Sequence, residues 1–240
     1  MPSLAPGSLL ELWERALALT PVERAVALAA AAAPAAEEAD VARLPLGRRD
    51  ARLLRLRADW AGPGLESTAG CPACGEQVEL APDADVILGA ETSAKVPEPV
   101  ESGGCVVTWR LPDSSDMLAA AAAADAVAAE RTLLERCVSM SPSDEPLSPE
   151  CRAAVAAAMA AADPVADVLV DLTCPACDES FTAELDVAGT VWSELNVRAG
   201  ELLREVDVLA RAYGWTEAEV LSLGQGRRDA YLAIVEGAPA

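Results

Sequence analysis

Leu172-Thr173-Cys174-Pro175-Ala176-Cys177-Asp178-Glu179 repeats Gly70-Cys71-Pro72-Ala73-Cys74-Gly75-Glu76, so the tetrapeptide Cys-Pro-Ala-Cys stands twice in the chain, 103 positions apart. Each copy has a Glu two residues past its second Cys and a bulky apolar residue two further on, Val78 and Phe181. A Cys-x-x-Cys turn points two sulfurs at one cation, and two such turns supply the four sulfurs of a tetrahedral structural Zn²⁺ site. The spacing predicts that Cys71, Cys74, Cys174 and Cys177 hold one structural zinc ion per chain. The long gap between the pairs implies an insertion. The fold class expected is therefore α+β: mostly α-helical, with a small Cys₄ zinc-ribbon β element split by a helical insertion.

Two other readings compete. Cys-Pro-x-Cys also occurs at thiol oxidoreductase sites, but those need a helix N-terminus behind the first Cys. Polar, strand-like sequence follows both pairs here. Separate disulfides would require a secreted protein. The chain has no His, so a zinc site with a His ligand is excluded. A closed Cys₄ shell leaves no position to activate water.

The 240 residues suffice for one large domain or two small ones. Ala supplies much of the 52% hydrophobic content, so the working core rests on Leu and Val with a few aromatic residues. Against 39 acidic residues stand 18 basic ones, a net charge of −21. Such a surface repels nucleic-acid phosphates and anionic lipid. The expectation is no nucleic acid, no membrane and no small-molecule substrate among the partners.

Met1-Pro2-Ser3 lacks a positive n-region, and the first apolar segment carries Glu11, Glu14 and Arg15, which argues against a secretory leader. The Ala-rich runs at 25–36 and 118–129 are too short to span a bilayer. Seven cysteines, an odd number, suit a reducing cytoplasm. Cys105, Cys137 and Cys151 lack metal spacing and are expected as small buried apolar residues.

Five segments follow: an N-terminal helical segment (1–62), the first knuckle with its strands (63–113), an Ala-rich helical insertion (114–163), the second knuckle with a β-hairpin (164–190) and a C-terminal helical unit (191–240). In the first segment, Leu9, Leu10, Trp13, Ala16 and Leu17 recur at helical spacing. Thr20-Pro21-Val22-Glu23 is a capping box that starts a second helix, running to about Ala33. Pro34 to Arg43 reads as a linker, and a helix from Gly47 to about Trp60 carries Arg48, Arg52 and Arg55 on one face. These three are the basic cluster of note.

Past the first knuckle, 77–80 is expected as a strand, 90–104 as loop and 105–111 as a β-branched strand. Ser114 or Ser115 should cap one long helix to about Val138, and Ser148-Pro149 another to about Ala162. Strands at 165–173 and 181–185 flank the second knuckle. Leu202, Leu203, Val206, Leu209, Ala210 and Tyr213 trace a core-facing helical stripe, closed by Gly214 as a left-handed cap. Thr216 and Glu219 form a capping box, and a last helix carries Arg227, Arg228, Tyr231, Leu232 and Val235.

The stretch from Leu202 to Leu232 reads L-L-R-E-V-x-x-L-A-R-A-Y-G-W-x-E-A-E-V-L-x-L-x-x-x-R-R-x-x-Y-L. Preceded by Cys-Pro-Ala-Cys and Trp192-Ser193-Glu194-Leu195, it resembles a family encoded with contractile, phage-tail-like injection systems. That family is similar to the baseplate hub assembly chaperone of T-even phages. The likeness covers 168–235 and, more faintly, 44–80, where Leu46-Gly47-Arg48-Arg49-Asp50 and Leu53-Leu54 lead into the first knuckle. It implies a cytoplasmic, non-enzymatic protein that helps to assemble a baseplate hub or spike.

No catalytic triad, P-loop, Gly-x-Gly-x-x-Gly or carboxylate dyad stands out in the chain. The function expected is that of a zinc-stabilised assembly or structural protein, with baseplate, hub or spike proteins as partners. The surfaces expected to meet them are Tyr213, Trp215, Arg227, Arg228 and Tyr231 in the C-terminal unit and the Arg48/Arg52/Arg55 face. The alternatives are a zinc-ribbon regulator of the transcription machinery, marked by salt-dependent nucleic-acid affinity, and a thiol oxidoreductase, marked by disulfide-reducing activity that zinc would oppose.

Overall fold

The structure, a computed structural model, describes residues 4–32, 38–62, 64–91, 98–102, 105–141 and 147–237. It is α+β and mostly helical, with three small antiparallel sheets among the described residues. In chain order the elements begin with α1 (Pro6–Leu17), α2 (Pro21–Ala31), a 3-10 helix (Glu38–Arg43) and α3 (Leu46–Ala61). Strands β1 (Ser67–Gly70) and β2 (Gln77–Leu80) follow, then α4 (Ala84–Glu91), β3 (Val100–Ser102) and β4 (Cys105–Trp109). Next come α5 (Ser114–Ala121), α6 (Ala126–Cys137), β5 (Val138–Ser141) and α7 (Pro149–Ala162). The chain closes with β6 (Leu169–Thr173), β7 (Ser180–Glu184), α8 (Val187–Tyr213), α9 (Glu217–Ser222) and α10 (Gln225–Val235).

Local capping chemistry explains most of the helix starts. Thr20 and Glu23 exchange the two hydrogen bonds of a capping box at α2, and Thr216 and Glu219 do the same at α9. The Ser148 hydroxyl accepts the Cys151 amide at α7, with Pro149 in the first turn. Each satisfies amide groups that a helix start leaves without a partner. Gly214 ends α8 with φ 71°, a left-handed conformation that costs glycine nothing.

Four expectations change. The helix from Ser114 or Ser115 to Val138 is two helices, because Asp113 rather than a serine caps α5 and Asp125 caps α6 by accepting the Ala128 amide. A carboxylate at a turn outcompetes the propensity of the alanines around it, so the run breaks and α6 folds back on α5. Val138 leaves the helix altogether: Val138–Ser141 pairs with β4, Trp109 opposite Val138. Residues 84–91, of which only the last two fall in the expected loop, form α4, whose first turn the Asp83 carboxylate caps at the Asp85 amide, and 100–102 of that loop form β3, paired with β4. Part of the linker is the 3-10 helix, with Val41 fully buried; positions 33–37, 92–97 and 103–104 lie outside the described residues.

The chain forms two compact units. One comprises Met1–Leu19 and Val191–Ala240, the other Thr20–Thr190. In the first, α1 lies against α9 and buries Leu9, Leu10, Leu12 and Ala16. From α8 and α9 come Leu195, Ala199, Leu202, Leu209 and Val220, all buried. The Trp13 indole N–H donates to Asn196 at 2.9 Å and fixes α1 against α8.

In the second unit α2 packs on α3 and α5, burying Leu28, Ala29, Leu53, Leu54 and Leu56. The sheet β3-β4-β5 meets α6 and α7 through Val107, Leu134, Cys151 and Val155. Both ends of the segment 114–163 are tied to the start of α3. Pro45 bridges Asp113, the Leu46 amide donates to the Pro112 carbonyl at 3.2 Å, and the Gly47 amide donates to the Asp163 carboxylate at 2.9 Å.

Candidate metal centre

Each cysteine pair occupies the turn of a two-stranded hairpin. In β1–β2 the last paired residues are Gly70 and Gln77, and in β6–β7 they are Thr173 and Ser180. The backbone repeats the same turn in both. The Cys71 amide donates to the Glu76 carbonyl at 2.8 Å and the Gly75 amide to the Cys71 carbonyl at 2.9 Å. Likewise the Cys174 amide donates to the Glu179 carbonyl at 2.8 Å and the Asp178 amide to the Cys174 carbonyl at 3.0 Å. The residue after the second Cys turns left-handed in each, Gly75 at φ 77° and Asp178 at φ 58°. Asp is one of the few side chains that visits this region at modest cost, through local hydrogen bonding.

The hairpins bring the four sulfurs together. Cys71 Sγ lies 3.7 Å from Cys177 Sγ, and Cys74 Sγ lies 3.6 Å from Cys174 Sγ. All four lie within 4.8 Å of one another. A tetrahedral ion with metal–sulfur bonds of about 2.3 Å sets its ligands about 3.8 Å apart, so these sulfurs fit one metal ion with little adjustment. Among the described residues no other group of three or more metal-capable side chains converges in this way. Cys71 and Cys174 are buried, while Cys74 and Cys177 face solvent. Val78 packs with the buried pair, and Leu172 and Phe181 close over them. The apolar residues that follow each Cys pair in sequence therefore roof the site.

The electrostatics of the thiols match a site built for a cation. Burial opposes ionisation of Cys71, yet the amides of Cys74 and Ala73 pointing at its sulfur bring it down to about 7. The Glu179 amide favours the thiolate of Cys177, but the Cys74 thiol, burial and the other two thiols outweigh it and push Cys177 up to about 12. Cys74 is also raised: the Glu76 amide and the Cys177 thiol favour its thiolate, but the Cys174 thiol, burial and the Cys71 thiol outweigh them. One negative charge is easy to place here and further ones are costly, until a divalent ion neutralises them.

Neither pair stands at the start of a helix, the placement that activates thiol oxidoreductase cysteines. Of the remaining thiols, Cys137 and Cys151 are buried as expected, and burial together with the adjacent Asp116 carboxylate raises Cys137 to about 11. The Cys105 side chain lies outside what the structure describes.

The expected partner surfaces fare unevenly. Arg48 is exposed and Arg52 half-buried, while Arg55 is paired with Glu91. Tyr213, Trp215 and Tyr231 form one aromatic cluster, Tyr213 stacked on Trp215 at 4.7 Å between ring centres and Tyr231 edge-on to both. Arg227 is exposed. Arg228 is not a surface residue: it is 1% exposed and its guanidinium binds Glu205 at 2.8 Å, the Leu223 carbonyl and Gln225. A buried guanidinium must satisfy its donors internally, and here they lock the α9–α10 turn onto α8. Helical spacing alone does not distinguish Arg227 from Arg228, because the acidic partner lies 23 positions away.

Among the described residues no helix is long and apolar enough to cross a membrane. Comparison with protein-family models, curated proteins and solved structures returns no match for this chain.

Proposed function

We propose that the chain is a non-enzymatic, zinc-stabilised assembly or structural protein serving the baseplate hub of a contractile, phage-tail-like injection system. The observation that carries the zinc reading is the convergence of four sulfurs from two hairpins at tetrahedral spacing. An all-sulfur, four-coordinate site selects Zn²⁺ among the common divalent ions and leaves no open position for water or substrate. Bound there, zinc would supply cross-linking and charge neutralisation. Cys71 and Cys74 anchor one hairpin to it, Cys174 and Cys177 the other, so segments far apart in sequence are held as one platform. The hub reading is supported by the sequence resemblance over 168–235 and 44–80. The aromatic cluster of Tyr213, Trp215 and Tyr231, with Arg227 beside it in sequence and Arg48 on α3, offers surfaces to a hub or spike protein.

The deciding experiment is co-purification of the tagged chain from its native host before and after particle maturation, with metal analysis of the same samples. Baseplate or spike proteins should be recovered with stoichiometric zinc. Recovery of RNA polymerase subunits instead, or of no tail component in either sample, would overturn the assignment.

A further inference from the structure

Beside its buried core, the unit formed by α1, α8, α9 and α10 carries a groove of about 410 Å³ between α1, α8 and α9. We infer that this groove is the docking site for a basic, amphipathic segment of a partner protein. Its apolar wall is made by Leu10, Trp13, Leu203 and Leu221. Leu203 is 40% exposed, a large apolar side chain left in water: of the α8 stripe expected to face the core, Leu202 and Leu209 are buried while Leu203 and Tyr213 are exposed. The hydrogen bond from Trp13 to Asn196 holds the indole in one orientation, so the wall is preformed. Such a cleft, near the lower end of the roughly 300–1,000 Å³ usual for binding pockets, takes a few anchoring side chains rather than a whole domain.

Charge selects the occupant. Glu11, Glu14 and Glu217 surround the apolar wall, and none of them has an ion-pair partner among the described residues. Other acidic residues of the same unit are neutralised by arginine: Glu201 and Glu205 are paired with Arg198, Glu205 also with Arg228, and Asp207 with Arg211, whereas among the described residues no arginine reaches the groove. Three uncompensated carboxylates around an exposed leucine suit a helix or strand that carries Lys or Arg beside apolar anchors. Anionic surfaces are repelled, while a cationic segment is steered in and held by its apolar face. Sequence periodicity could not reveal the groove, since α1 and α9 are some 200 positions apart and each reads simply as an amphipathic helix. The inference stands apart from the injection-particle reading, because it requires neither zinc nor a tail component.

The test uses the full chain as bait against a yeast-displayed library of random short peptides. Enriched sequences should carry Lys or Arg flanking two or more large apolar residues, and binding should weaken with salt. Ala218→Trp, which fills the groove, and Leu203→Gln, which leaves the charge unchanged, should each lower the affinity of a selected peptide by about tenfold. Glu14→Lys with Glu217→Lys should weaken it as well and flatten the salt dependence. Circular dichroism and thermal unfolding verify that each variant remains folded; a variant that unfolds is replaced by Ala218→Leu and Leu203→Asn. Absence of enrichment, enrichment of neutral or acidic sequences, or binding insensitive to the groove variants would overturn the inference. So would a concentration-dependent dimer abolished by Ala218→Trp, which would make a second copy of the chain the occupant.

Discussion

The Cys71 and Cys177 sulfurs lie 3.7 Å apart although 106 positions separate them in sequence. Cys74 and Cys174 are joined the same way, so each hairpin contributes one buried and one exposed sulfur to a site that neither completes alone. Elemental analysis should therefore find about one zinc per chain, and chelation should remove much of the second unit's stability, since ligation in small zinc modules contributes on the order of 10 kcal/mol. Cys74→Ser and Cys177→Ser should lower zinc content and the unfolding midpoint alike. A benign Cys177→Ser beside a damaging Cys74→Ser would separate the roles of the two pairs and defeat the single-site reading.

Neighbouring arginines at 227 and 228 should behave in opposite ways. Arg227→Ala removes an exposed charge and should change stability by no more than about 0.5 kcal/mol. Arg228→Ala removes one of the two guanidinium partners of Glu205, which keeps Arg198, and leaves the Leu223 carbonyl without its donor, at a cost of about 2–3 kcal/mol. Chemical unfolding of the two variants measures the contrast. Equal effects would show that Arg228 does not hold the α9–α10 turn.

The metal site could be read from sequence because its determinants are local and chemically singular: two identical tetrapeptides, each with the same following residues. The capping boxes at Thr20 and Thr216 and the left-handed Gly214 were legible for the same reason, since each is decided within four residues. What sequence left hidden depends on partners far along the chain. Val138 reads as the end of an alanine-rich helix, yet Trp109, nearly thirty positions earlier, recruits it into a sheet. The same holds for the segment 114–163, which propensity marks as an insertion. Asp116 within it is fully buried, and Asp163 at its end caps α3, so these helices are integral to the packing of the second unit. Deleting Ser115–Ala162, harmless if the segment were an appendage, would remove β5 and the cover of the β4 sheet.

Gly47 should tolerate no side chain. A Cβ there would overlap the Asp163 carboxylate and approach the Ala166 amide nitrogen to 2.9 Å. Gly47→Ala is expected to cost about 1–3 kcal/mol by overpacking, more if the Asp163 bond to the Gly47 amide breaks. Burial raises the Asp163 carboxyl above its ordinary value, against the pull of that amide. Its ionised form therefore costs stability at neutral pH, and the cost fades as pH falls through the raised folded value. Asp163→Asn keeps an acceptor for Gly47 without the charge and should be neutral or stabilising at pH 7. A large loss in urea unfolding would mean that the charge itself is required.

Asp116 should show the opposite pH dependence. Its carboxylate is buried; burial alone would raise its pKa, but two hydrogen bonds from Arg110, at 2.6 and 2.9 Å, dominate. The Asp113 amide and Arg136 add to them, and the carboxyl is held well below the usual range. A group with a depressed folded pKa stabilises fully above the unfolded value, about 3.9 for Asp, and loses that contribution as pH drops toward the folded value. Asp116→Asn should thus cost on the order of 3 kcal/mol, because two guanidinium groups lose the anion that joins β4 to α5 and α6. The difference between wild type and variant should hold constant from pH 7 to pH 5 and shrink below about pH 4. Urea unfolding at pH 7, 5 and 3 reads it directly. A difference that vanishes between pH 7 and pH 5 would assign the effect to some other group, and Asp116 would no longer be the anchor of these elements.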